Sequence, residues 1–355
     1  MRIIVDAMGG DNAPLCNVQG ALEAHRDFGV DILLVGRSED ILRCLEQCGE
    51  KTLPQGVEIR NATEVVTMSD DPAFAFKQKK DSSLTVGLQL LKDGAGDAFV
   101  SAGSTGALLS GATLLVKRIR GIRRAAMAPQ IPCKGGQMVL CDCGANAECT
   151  PEYLLQFAYL GNFYAQRVLG VAKPRVALLN IGAEDEKGDA LRHETLPLLK
   201  AADAQGRIHF VGSIESSDAM QGKADVVVAD GFAGNVMLKS IEGTAKFLSG
   251  EIKGMLLASG KTKLAALLLK DGLQKFKAML DPSEVGGTAF LGISKPVIKA
   301  HGSSDAKAIR SAIRQARDFA ESGFIQAIEE NIDCMKLEKG ASCILGIDRG
   351  QGDAV

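Results

Sequence analysis

Short apolar runs alternate along this chain with longer segments in which apolar residues recur every three or four positions. Short apolar runs are typical of strands buried on both faces, whereas the longer period is typical of helices with one apolar face. The alternation therefore predicts an α/β protein with a mainly parallel sheet, covered by helices on both sides. The expected strands are residues 2–7, 31–36, 57–62, 97–102, 137–143, 175–182, 209–214, 225–230 and 289–293. The expected helices include residues 14–28, 85–93, 108–117, 152–169 and 305–321.

The pattern continues without a repeat or a low-complexity linker. We therefore expect residues 1–340 to form a single large α/β unit, followed by a loose glycine-rich tail over residues 341–355. Residues 1–6 predict a first strand and not a secretory leader. In sheets of this kind ligands bind at the carboxyl ends of the strands, so a site is expected in the loops there.

One segment departs from the pattern. Residues 239–280 contain eight lysines and three acidic residues, a net charge of +5 in a chain whose own charge is −2. An apolar patch formed by Leu264, Leu267, Leu268 and Leu269 lies between lysines, and a second apolar stripe follows it. A basic amphipathic helical hairpin of this kind can lie on an anionic membrane surface. It can also pack as a dimer or core helix with solvated lysines, and the residues alone favour that alternative.

Composition narrows the class of protein. The near-zero net charge, the absence of Trp and the small number of Tyr do not favour a nucleic-acid partner. Nine scattered cysteines indicate reduced thiols and a cytoplasmic protein. Cys141, Cys143 and Cys149 lack the spacing of a zinc site, so no metal is expected. No apolar run is long enough to predict a membrane-spanning helix.

Five loops that follow predicted strands are rich in Gly, Asp, Ser or Asn. They are residues 6–14, 101–106, 142–146, 180–188 and 230–239. Glycines allow the backbone to approach a ligand, and hydroxyl and amide groups orient it. No loop matches a phosphate-binding loop or a dinucleotide fingerprint, so no nucleotide cofactor is expected. No loop matches the nucleophile elbow of serine hydrolases either.

Two of these loops contain the strongest candidates for chemistry. Lys187 is the best cation for a small anion, or else a solvated lysine beside three acidic residues. Asn235 can support an oxyanion, or it can be the cap of a helix.

Other polar residues allow two interpretations each. Asp6 and Asp11 can orient a ligand, although Asp11 can instead cap the first helix. Ser104 and Thr105 can bind phosphate or cap the helix after them. His301 can act as an acid or base, although a structural role is favoured for a lone histidine. Five cations within residues 117–124, namely Lys117, Arg118, Arg120, Arg123 and Arg124, suit an acidic partner or a solvated helix end.

Taken together and in this order, the motifs resemble the PlsX family of acyl-acyl carrier protein:phosphate acyltransferases of bacterial phospholipid synthesis. The matching text is D-A-M-G-G-D at 6–11, K-K-D-S-S at 79–83, S-A-G-S-T-G-A at 101–107, D-C-G-A-N at 142–146, L-N-I-G at 179–182 with K-G at 187–188, D-G-F-A-G-N-V-M-L-K at 230–239 and K-A-H-G at 299–302. The resemblance covers residues 1 to 320. The chain departs from the family pattern at Ser104, where Asn is usual, and at residues 287–289.

The resemblance implies transfer of a long-chain fatty acyl group from acyl carrier protein to inorganic phosphate, without a cofactor. The acyl phosphate would pass to a membrane glycerol-phosphate acyltransferase. The implied fold is a three-layer α/β/α homodimer similar to isocitrate/isopropylmalate dehydrogenases and phosphotransacetylase. The implied location is the cytoplasm, with peripheral attachment to the inner face of the cell membrane.

The resemblance also implies roles for residues. Lys187 would bind phosphate, and Asn235 would support the oxyanion or orient phosphate. The substrate would be held by Asp6, Gly9, Gly10, Asp11, Ser101, Gly103, Ser104, Thr105, Gly106, Asp142, Asn146, Asn180, Gly182, Asp230, Gly231, Gly234 and His301. The stretch at 117–124 would receive acyl carrier protein, and the patch at 264–269 would contact membrane.

Several alternatives stay open at this stage. They are a phosphotransacetylase that uses a short acyl-CoA, a dehydrogenase on the same fold, and a non-catalytic membrane-surface scaffold. Direct attack by phosphate needs no enzyme nucleophile, and Cys143 is the residue to suspect if an acyl-enzyme forms.

Overall fold

The computed structural model describes residues 1–280 and 286–335, which build two mainly parallel β-sheets covered by helices. The α/β class expected from the sequence is confirmed, with the parallel strands divided between two sheets. The strands are β1 (Arg2–Asp6), β2 (Asp31–Gly36), β3 (Val57–Asn61), β4 (Ala98–Ser101), β5 (Ala126–Ala128), β6 (Gln130–Cys133), β7 (Gly136–Cys141), β8 (Arg175–Leu179), β9 (His209–Ile214), β10 (Val226–Val228), β11 (Gly287–Leu291) and β12 (Val297–Ala300). The helices are α1 (Leu15–Phe28), α2 (Ser38–Gln47), α3 (Ala75–Gln78), α4 (Ser83–Lys92), α5 (Thr105–Gly111), α6 (Pro151–Arg167), α7 (Ala190–Ala204), α8 (Ser216–Met220), α9 (Gly231–Leu257), α10 (Gly260–Leu268), α11 (Lys270–Leu280), α12 (Ala306–Glu321) and α13 (Phe324–Glu330).

The first sheet has seven strands in the order β3-β2-β1-β4-β12-β11-β5, and only β11 runs antiparallel to its neighbours. Alternate residues of β1 face different layers. Ile3 and Val5 pack into the core that contains α1 and α12, whereas Ile4 packs into the core that contains α4. Because both faces are covered, the central strands β1, β2 and β4 have continuous apolar runs, whereas the edge strand β3 carries the exposed side chains of Glu58 and Arg60.

The second sheet has five strands in the order β6-β7-β10-β8-β9, in which only the β6–β7 pair is antiparallel. Helix α6 packs against β7 and β10, and the first turns of α9 contribute Met237 to the opposite core. The largest apolar core includes residues of both sheets, such as Val5 of β1 and Val226 of β10. The single unit over residues 1–340 stays a prediction, and the tail at 341–355 lies outside the described residues.

The basic segment at 239–280 is helical, and it consists of most of α9 followed by α10 and α11. Only Gly231, Gly234 and Met237 of α9 are buried, and no residue of α10 is. Among the described residues, no helix is long and apolar enough to cross a bilayer. Ile241 still packs against the core of the second sheet, whereas Phe247, Leu248, Met255 and Leu257 of α9 and Leu264, Leu267 and Leu268 of α10 are exposed to solvent.

Element boundaries follow the sequence closely where the apolar run is long. Strands β2 and β9 have the expected limits, whereas β5, β6 and β12 were not expected. These three strands have three or four residues each, which is too short for a period to be recognised. The helix expected at 108–117 is α5 followed by a π-helix at Ala112–Val116.

Candidate active site

The loops at the carboxyl ends of β1, β4 and β12 form one polar cluster, which we call the first cluster. The Asp6 carboxylate is buried there and accepts hydrogen bonds from the amides of Met8 and Gly9, each at 3.1 Å. The Ser101 hydroxyl donates to it at 2.6 Å and accepts from the Gly103 amide at 3.0 Å. Burial raises the pKa of Asp6, and these hydrogen bonds oppose the rise. Asp6 therefore fixes the loops at 6–14 and 101–106 against each other.

Two glycines make this contact possible. A Cβ on Gly9 would lie 2.5 Å from the Asp6 carboxylate and 2.7 Å from the Gly103 amide nitrogen. Gly10 has a φ of +102°, and a Cβ there would lie 3.0 Å from the Gly302 carbonyl oxygen. Only glycine fits either position, so these two residues serve loop packing, whatever else they do.

The remaining expected residues of the first cluster differ in role. Ser104 is the N-cap of α5, since its hydroxyl accepts from the Ala107 amide, and Thr105 and Gly106 are the first residues of that helix. Asp11 does not cap α1, because Pro14 holds the N-cap position without a side-chain hydrogen bond; that alternative was wrong. The Asp11 amide donates instead to the Gly302 carbonyl at 2.8 Å. His301 is exposed, and its Nδ1 accepts from the Ser303 amide at 3.2 Å.

Sequence reasoning missed one residue of the first cluster. Lys299 is 7% exposed, and its ammonium donates to the carbonyls of Ala102, at 3.4 Å, and Ala300. Burial lowers its pKa to about 8, although the negative charges of Asp6 and Asp11 oppose the fall. The only sign of this burial in the sequence is the position of Lys299 itself, directly after the apolar residues Val297 and Ile298.

The loops after β7, β8 and β10 form the second cluster. At its centre the buried Asp142 carboxylate accepts from the amides of Met127 at 2.8 Å, Cys143 at 2.6 Å and Asn146 at 2.7 Å. The Asn146 side chain donates to the same carboxylate at 3.0 Å and to the Ala125 carbonyl at 2.8 Å. Burial raises the pKa of Asp142 in spite of these bonds. Asp142 therefore shapes its loop from inside and presents no free oxygen pair to a ligand.

The loop after β10 packs directly on the Asp142 loop. The Gly231 amide donates to the Asn146 carbonyl at 2.7 Å, and a Cβ on Gly234 would lie 2.0 Å from the Asp142 carbonyl oxygen. Asp230 is the N-cap of α9, because its carboxylate accepts from the Ala233 amide at 2.9 Å. The fold therefore requires a capping residue at Asp230 and a close backbone approach at Gly231 and Gly234, whether or not these residues also bind a ligand.

Arg192 connects the loops after β8 and β10, and it was not expected from the sequence. Its guanidinium donates to Asp230 at 2.5 Å, to Asp189 at 3.1 Å and to the Leu179 carbonyl at 3.3 Å. The Arg192 and Asp230 side chains are about nine-tenths buried. The ion pair therefore neutralises the carboxylate that begins α9.

Lys187 lies in the loop that Asn180 anchors. The Asn180 amide donates to the Lys187 carbonyl at 2.9 Å, and a Cβ on Gly182 would lie 2.9 Å from the Lys187 Cγ. The Lys187 side chain is exposed, and its ammonium has no hydrogen-bond or ion-pair partner within residues 1–280 and 286–335. The nearby Asp185 pairs instead with Lys200. Lys187 thus keeps its charge available for an anion.

Asn235 is not a helix cap, so the alternative favoured from its position was wrong. Asp230 takes that role, and Asn235 is the fifth residue of α9, one turn farther along. Its exposed side chain lies beside the Asp142 loop, with Cγ 3.7 Å from the position of a Cβ on Gly144. An amide there can reach a ligand held against the Asp142–Asn146 loop.

The cysteines of the second cluster are poor nucleophiles. Cys143 is buried beside the Gly234 carbonyl, and burial raises its pKa to about 12. Burial also raises the pKa of Cys149 to about 12. A thiol with such a pKa is protonated at neutral pH, so an acyl-enzyme at Cys143 is disfavoured. The described residues hold no group of three or more side chains placed to bind a metal ion.

The basic stretch at 117–124 begins at Lys117, the C-cap of the π-helix, and continues as an irregular loop to β5. Arg123 donates to Glu152 at 3.2 Å, and the Arg124 guanidinium stacks on the Tyr153 ring at 5.6 Å. Arg118 donates to the Arg123 carbonyl. Lys117 and Arg120 are exposed. The stretch therefore leads from a charged surface to Ala125, whose carbonyl contacts Asn146 of the second cluster.

Comparison with known proteins gives one consistent family. The model of the family described as "Fatty acid synthesis protein" matches residues 1–327. The phosphate acyltransferase of Thermoanaerobacterium thermosaccharolyticum is 44% identical over 94% of this chain and 97% of its own length. The phosphate acyltransferase of Desulfitobacterium hafniense is 46% identical over 94% of this chain and 98% of its own length.

Solved structures show the same fold at much lower identity. A phosphotransacetylase from Streptococcus pyogenes superimposes with a TM-score of 0.63 at 18% identity, over 90% of this chain and 94% of that one. A branched-chain phosphotransacylase from Enterococcus faecalis gives a TM-score of 0.54 at 15% identity, over 90% and 99% of the two chains. A 4-hydroxythreonine-4-phosphate dehydrogenase from Klebsiella pneumoniae gives 0.53 at 14% identity, over 90% and 98%.

Proposed function

Because this chain belongs to the fatty acid synthesis protein family of phosphate acyltransferases, we propose that it transfers a long-chain fatty acyl group from acyl carrier protein to inorganic phosphate. It is an acyltransferase, and acyl transfer to phosphate is its reaction class. Acyl carrier protein as donor, and use of the acyl phosphate to acylate glycerol 3-phosphate in phospholipid synthesis, are the proposed refinements.

The unpaired ammonium of Lys187 is the observation that supports a phosphate site in the second cluster. A phosphate oxygen attacks the thioester carbonyl carbon, the carbonyl electrons move to oxygen, and the carbon–sulfur bond then breaks to release thiolate. Phosphate is already a nucleophile and thiolate leaves readily, so holding and orienting the reactants can supply the rate. Lys187 binds the phosphate, and the Asn235 amide donates to the developing oxyanion or orients phosphate. Loop glycines and polar side chains of both clusters hold the substrates.

The donor is proposed to dock at the basic stretch at 117–124. Acyl carrier protein is acidic, and exposed cations steer an acidic partner and fix its orientation. The contact between Ala125 and Asn146 supports this placement, because it connects the stretch to the second cluster.

The apolar patch at 264–269, formed by α10 and its C-cap Leu269, is proposed to contact an anionic membrane on the inner face of the cell membrane. Leu264, Leu267, Leu268 and Leu269 are 57–82% exposed. Exposed leucines among lysines suit an interfacial helix, and a lipid intermediate benefits from release at a bilayer next to the enzyme that consumes it. A homodimer is also proposed, and its interface is the competing partner for the apolar side chains of α9.

The test is phosphate-dependent formation of acyl phosphate by the purified protein, with long-chain acyl-acyl carrier protein and short-chain acyl-CoA supplied in parallel. We expect turnover with the carrier-protein donor and little with the short acyl-CoA. Preference for the short acyl-CoA would instead identify a phosphotransacetylase. Vesicle binding without turnover on either donor would identify a scaffold and contradict the proposal.

A further inference from the structure

A polar cavity lies at the end of the second sheet that is opposite to the second cluster. It is located at the amino ends of β8 and β9, where Arg175 pairs with His209, and its volume is about 260 Å³. The loops that hold Lys187 and Asp230 follow the carboxyl ends of β8 and β10, so the cavity is a separate place on this sheet. Its polar lining comes from α6, the loop before β8, the end of α7 and the start of β9. These residues are Asn162, Gln166, Lys173, Asp203, Arg207 and His209.

The charge of this lining is mainly positive. Of the described residues that line the cavity, Lys173 and Arg207 are permanent cations and Asp203 alone is acidic. The Asp203 carboxylate accepts from the Phe210 amide at 3.0 Å, and neither cation forms an ion pair within residues 1–280 and 286–335. A protonated His209 would increase the excess of positive charge. The cavity is therefore suited to an anion.

Two polar groups in the same wall lack a partner from the chain. Asn162 is 3% exposed, and its side-chain amide forms no hydrogen bond with any residue that the structure describes. The Nδ1 atom of His209 is also buried without a hydrogen-bond partner. Buried polar groups in proteins are normally hydrogen-bonded. Because Asn162 lines the cavity, a molecule bound there can supply the partner that its amide lacks.

Helix capping does not account for the cations, although the cavity lies at the carboxyl ends of α6 and α7. Lysine and arginine often bond to free carbonyl oxygens at such ends. In α7 the backbone amides of Gln205, Gly206 and Arg207 already donate to the last carbonyls, at 2.7–3.1 Å. The Arg207 guanidinium donates instead to the Cys334 carbonyl at 2.8 Å and contacts the Tyr159 hydroxyl. These contacts fix the guanidinium and leave others of its five N–H groups for a ligand.

We propose that this cavity binds a small hydroxylated phosphate monoester. A phosphate monoester has close to two negative charges and three acceptor oxygens, which suit a pair of cations better than a single carboxylate does. Lys173 and Arg207 hold the phosphate group, and the amides of Asn162 and Gln166 bond to the hydroxyl groups. The volume of about 260 Å³ is small for a ligand site, so the organic part of the ligand is short and is not a long acyl chain. The inference does not depend on the proposed reaction.

The experiment is calorimetric titration with sn-glycerol 3-phosphate in phosphate-free buffer at constant ionic strength. It is done with the wild type and with Lys187→Ala, which removes the proposed phosphate site, and we expect a Kd of about 1 mM or tighter in both. Lys173→Glu reverses an exposed, unpaired charge and should weaken binding about tenfold or more. Arg167→Glu makes the same charge change at the exposed end of α6, outside the cavity lining, and should stay within about twofold. Asn162→Leu should also weaken binding, since it removes the buried amide.

Three results would overturn the inference. The first is no binding of glycerol 3-phosphate up to about 10 mM, which would leave bound water as the partner of the Asn162 amide. The second is binding that Lys187→Ala abolishes and Lys173→Glu preserves, which would place the anion in the second cluster. The third is equal or tighter binding of malate, a hydroxylated dicarboxylate, which would contradict the choice of a phosphate.

Amide hydrogen exchange locates the ligand without relying on the variants of the cavity. In Lys187→Ala protein, glycerol 3-phosphate should slow exchange at residues 205–210, which include the Phe210 amide bonded to Asp203, and not at residues 181–188. Unchanged exchange at 205–210 would also overturn the inference. Neither measurement uses turnover. A protein that binds the probe at this cavity and transfers no acyl group would contradict the proposed function and leave the site standing.

Discussion

The two clusters place buried carboxylates at the ends of parallel strands, but they neutralise them in different ways. In the second cluster, Arg192 meets Asp230 at 2.5 Å and completes a fully bonded ion pair. In the first, Lys299 contacts carbonyl oxygens and acts on Asp6 and Asp11 only from a distance. Arginine stays charged at any physiological pH, whereas a buried lysine titrates near neutrality.

This difference decides which charged side chains serve the structure and which are available to a substrate. Because Arg192 satisfies Asp230 internally, the second cluster still has Lys187 free for an anion. In the first cluster the buried Lys299 ammonium is bonded to backbone carbonyl oxygens of the cluster itself. One cluster therefore offers charge to a ligand, and the other offers a shaped backbone. The following predictions test this contrast, beginning with the largest effect.

Removing Arg192 should have the largest effect on stability. Arg192→Met leaves the Asp230 carboxylate buried without its partner, so the free energy of unfolding should fall by about 3–5 kcal/mol. Arg175→Met is the control, because the Arg175–Asp225 pair is partly exposed and should contribute less than about 1 kcal/mol. Urea denaturation measures both. Equal losses in the two variants would mean that the buried pair has no special role.

Removing Lys187 should affect activity and not stability. Lys187→Ala should lower kcat/KM about 100-fold or more, equivalent to about 2.7 kcal/mol of transition-state stabilisation, with an unfolding midpoint close to the wild type. Lys200→Ala, which removes a nearby exposed lysine already paired with Asp185, should stay within about twofold. Steady-state kinetics with both substrates measures kcat/KM for each variant. Similar losses of kcat/KM in Lys187→Ala and Lys200→Ala would mean that general surface charge, and not Lys187 itself, supports activity.

The lysine of the first cluster should make stability depend on pH. Its folded pKa of about 8 lies below the ordinary value of 10.5, so between these values the unfolded chain binds more protons than the folded one. Stability contributed through Lys299 is therefore lowest below pH 8 and rises with pH. Relative to Lys299→Met, the wild type should gain roughly 1–2 kcal/mol between pH 8 and 9.5. Denaturant titrations of both proteins across this range measure the difference, and parallel curves would contradict the buried charge.

The smallest effect is expected at Cys143. Because burial raises its pKa to about 12, it should resist alkylation at pH 8, and Cys143→Ala should keep activity within about twofold. Cys16 on α1 has a partly exposed thiol and should be alkylated more readily than Cys143. The loss of that label in Cys16→Ala identifies its contribution to the total alkylation. Intact-mass measurement after incubation with acyl donor would reveal an acyl-enzyme, and acylation at Cys143 would contradict direct attack by phosphate.

Sequence patterns located most of the candidate site, because each loop there follows an apolar run that ends in Gly and Asp. The loops that hold Asp6, Asp142 and Asp230 all lie at strand ends, as expected. The roles of individual residues in these loops could not be predicted as well from the sequence. The glycine and apolar pattern identified the start of α9, but only the backbone geometry shows that Asp230, and not Asn235, caps it. Capping of the first helix was one of two alternatives for Asp11, and the structure shows instead that its amide donates to the Gly302 carbonyl.

The sequence by itself determined the fold class, the positions of the long strands and the loops in which chemistry is expected, because these depend on local apolar periodicity. Only the tertiary structure decided that the strands divide into two sheets and that Arg192 and Lys299 are the buried cations of the two clusters. Arg192 lies 38 residues from Asp230, and Ala102 lies 197 residues from Lys299. Partners so far apart are set by strand pairing and helix packing, which no local pattern encodes.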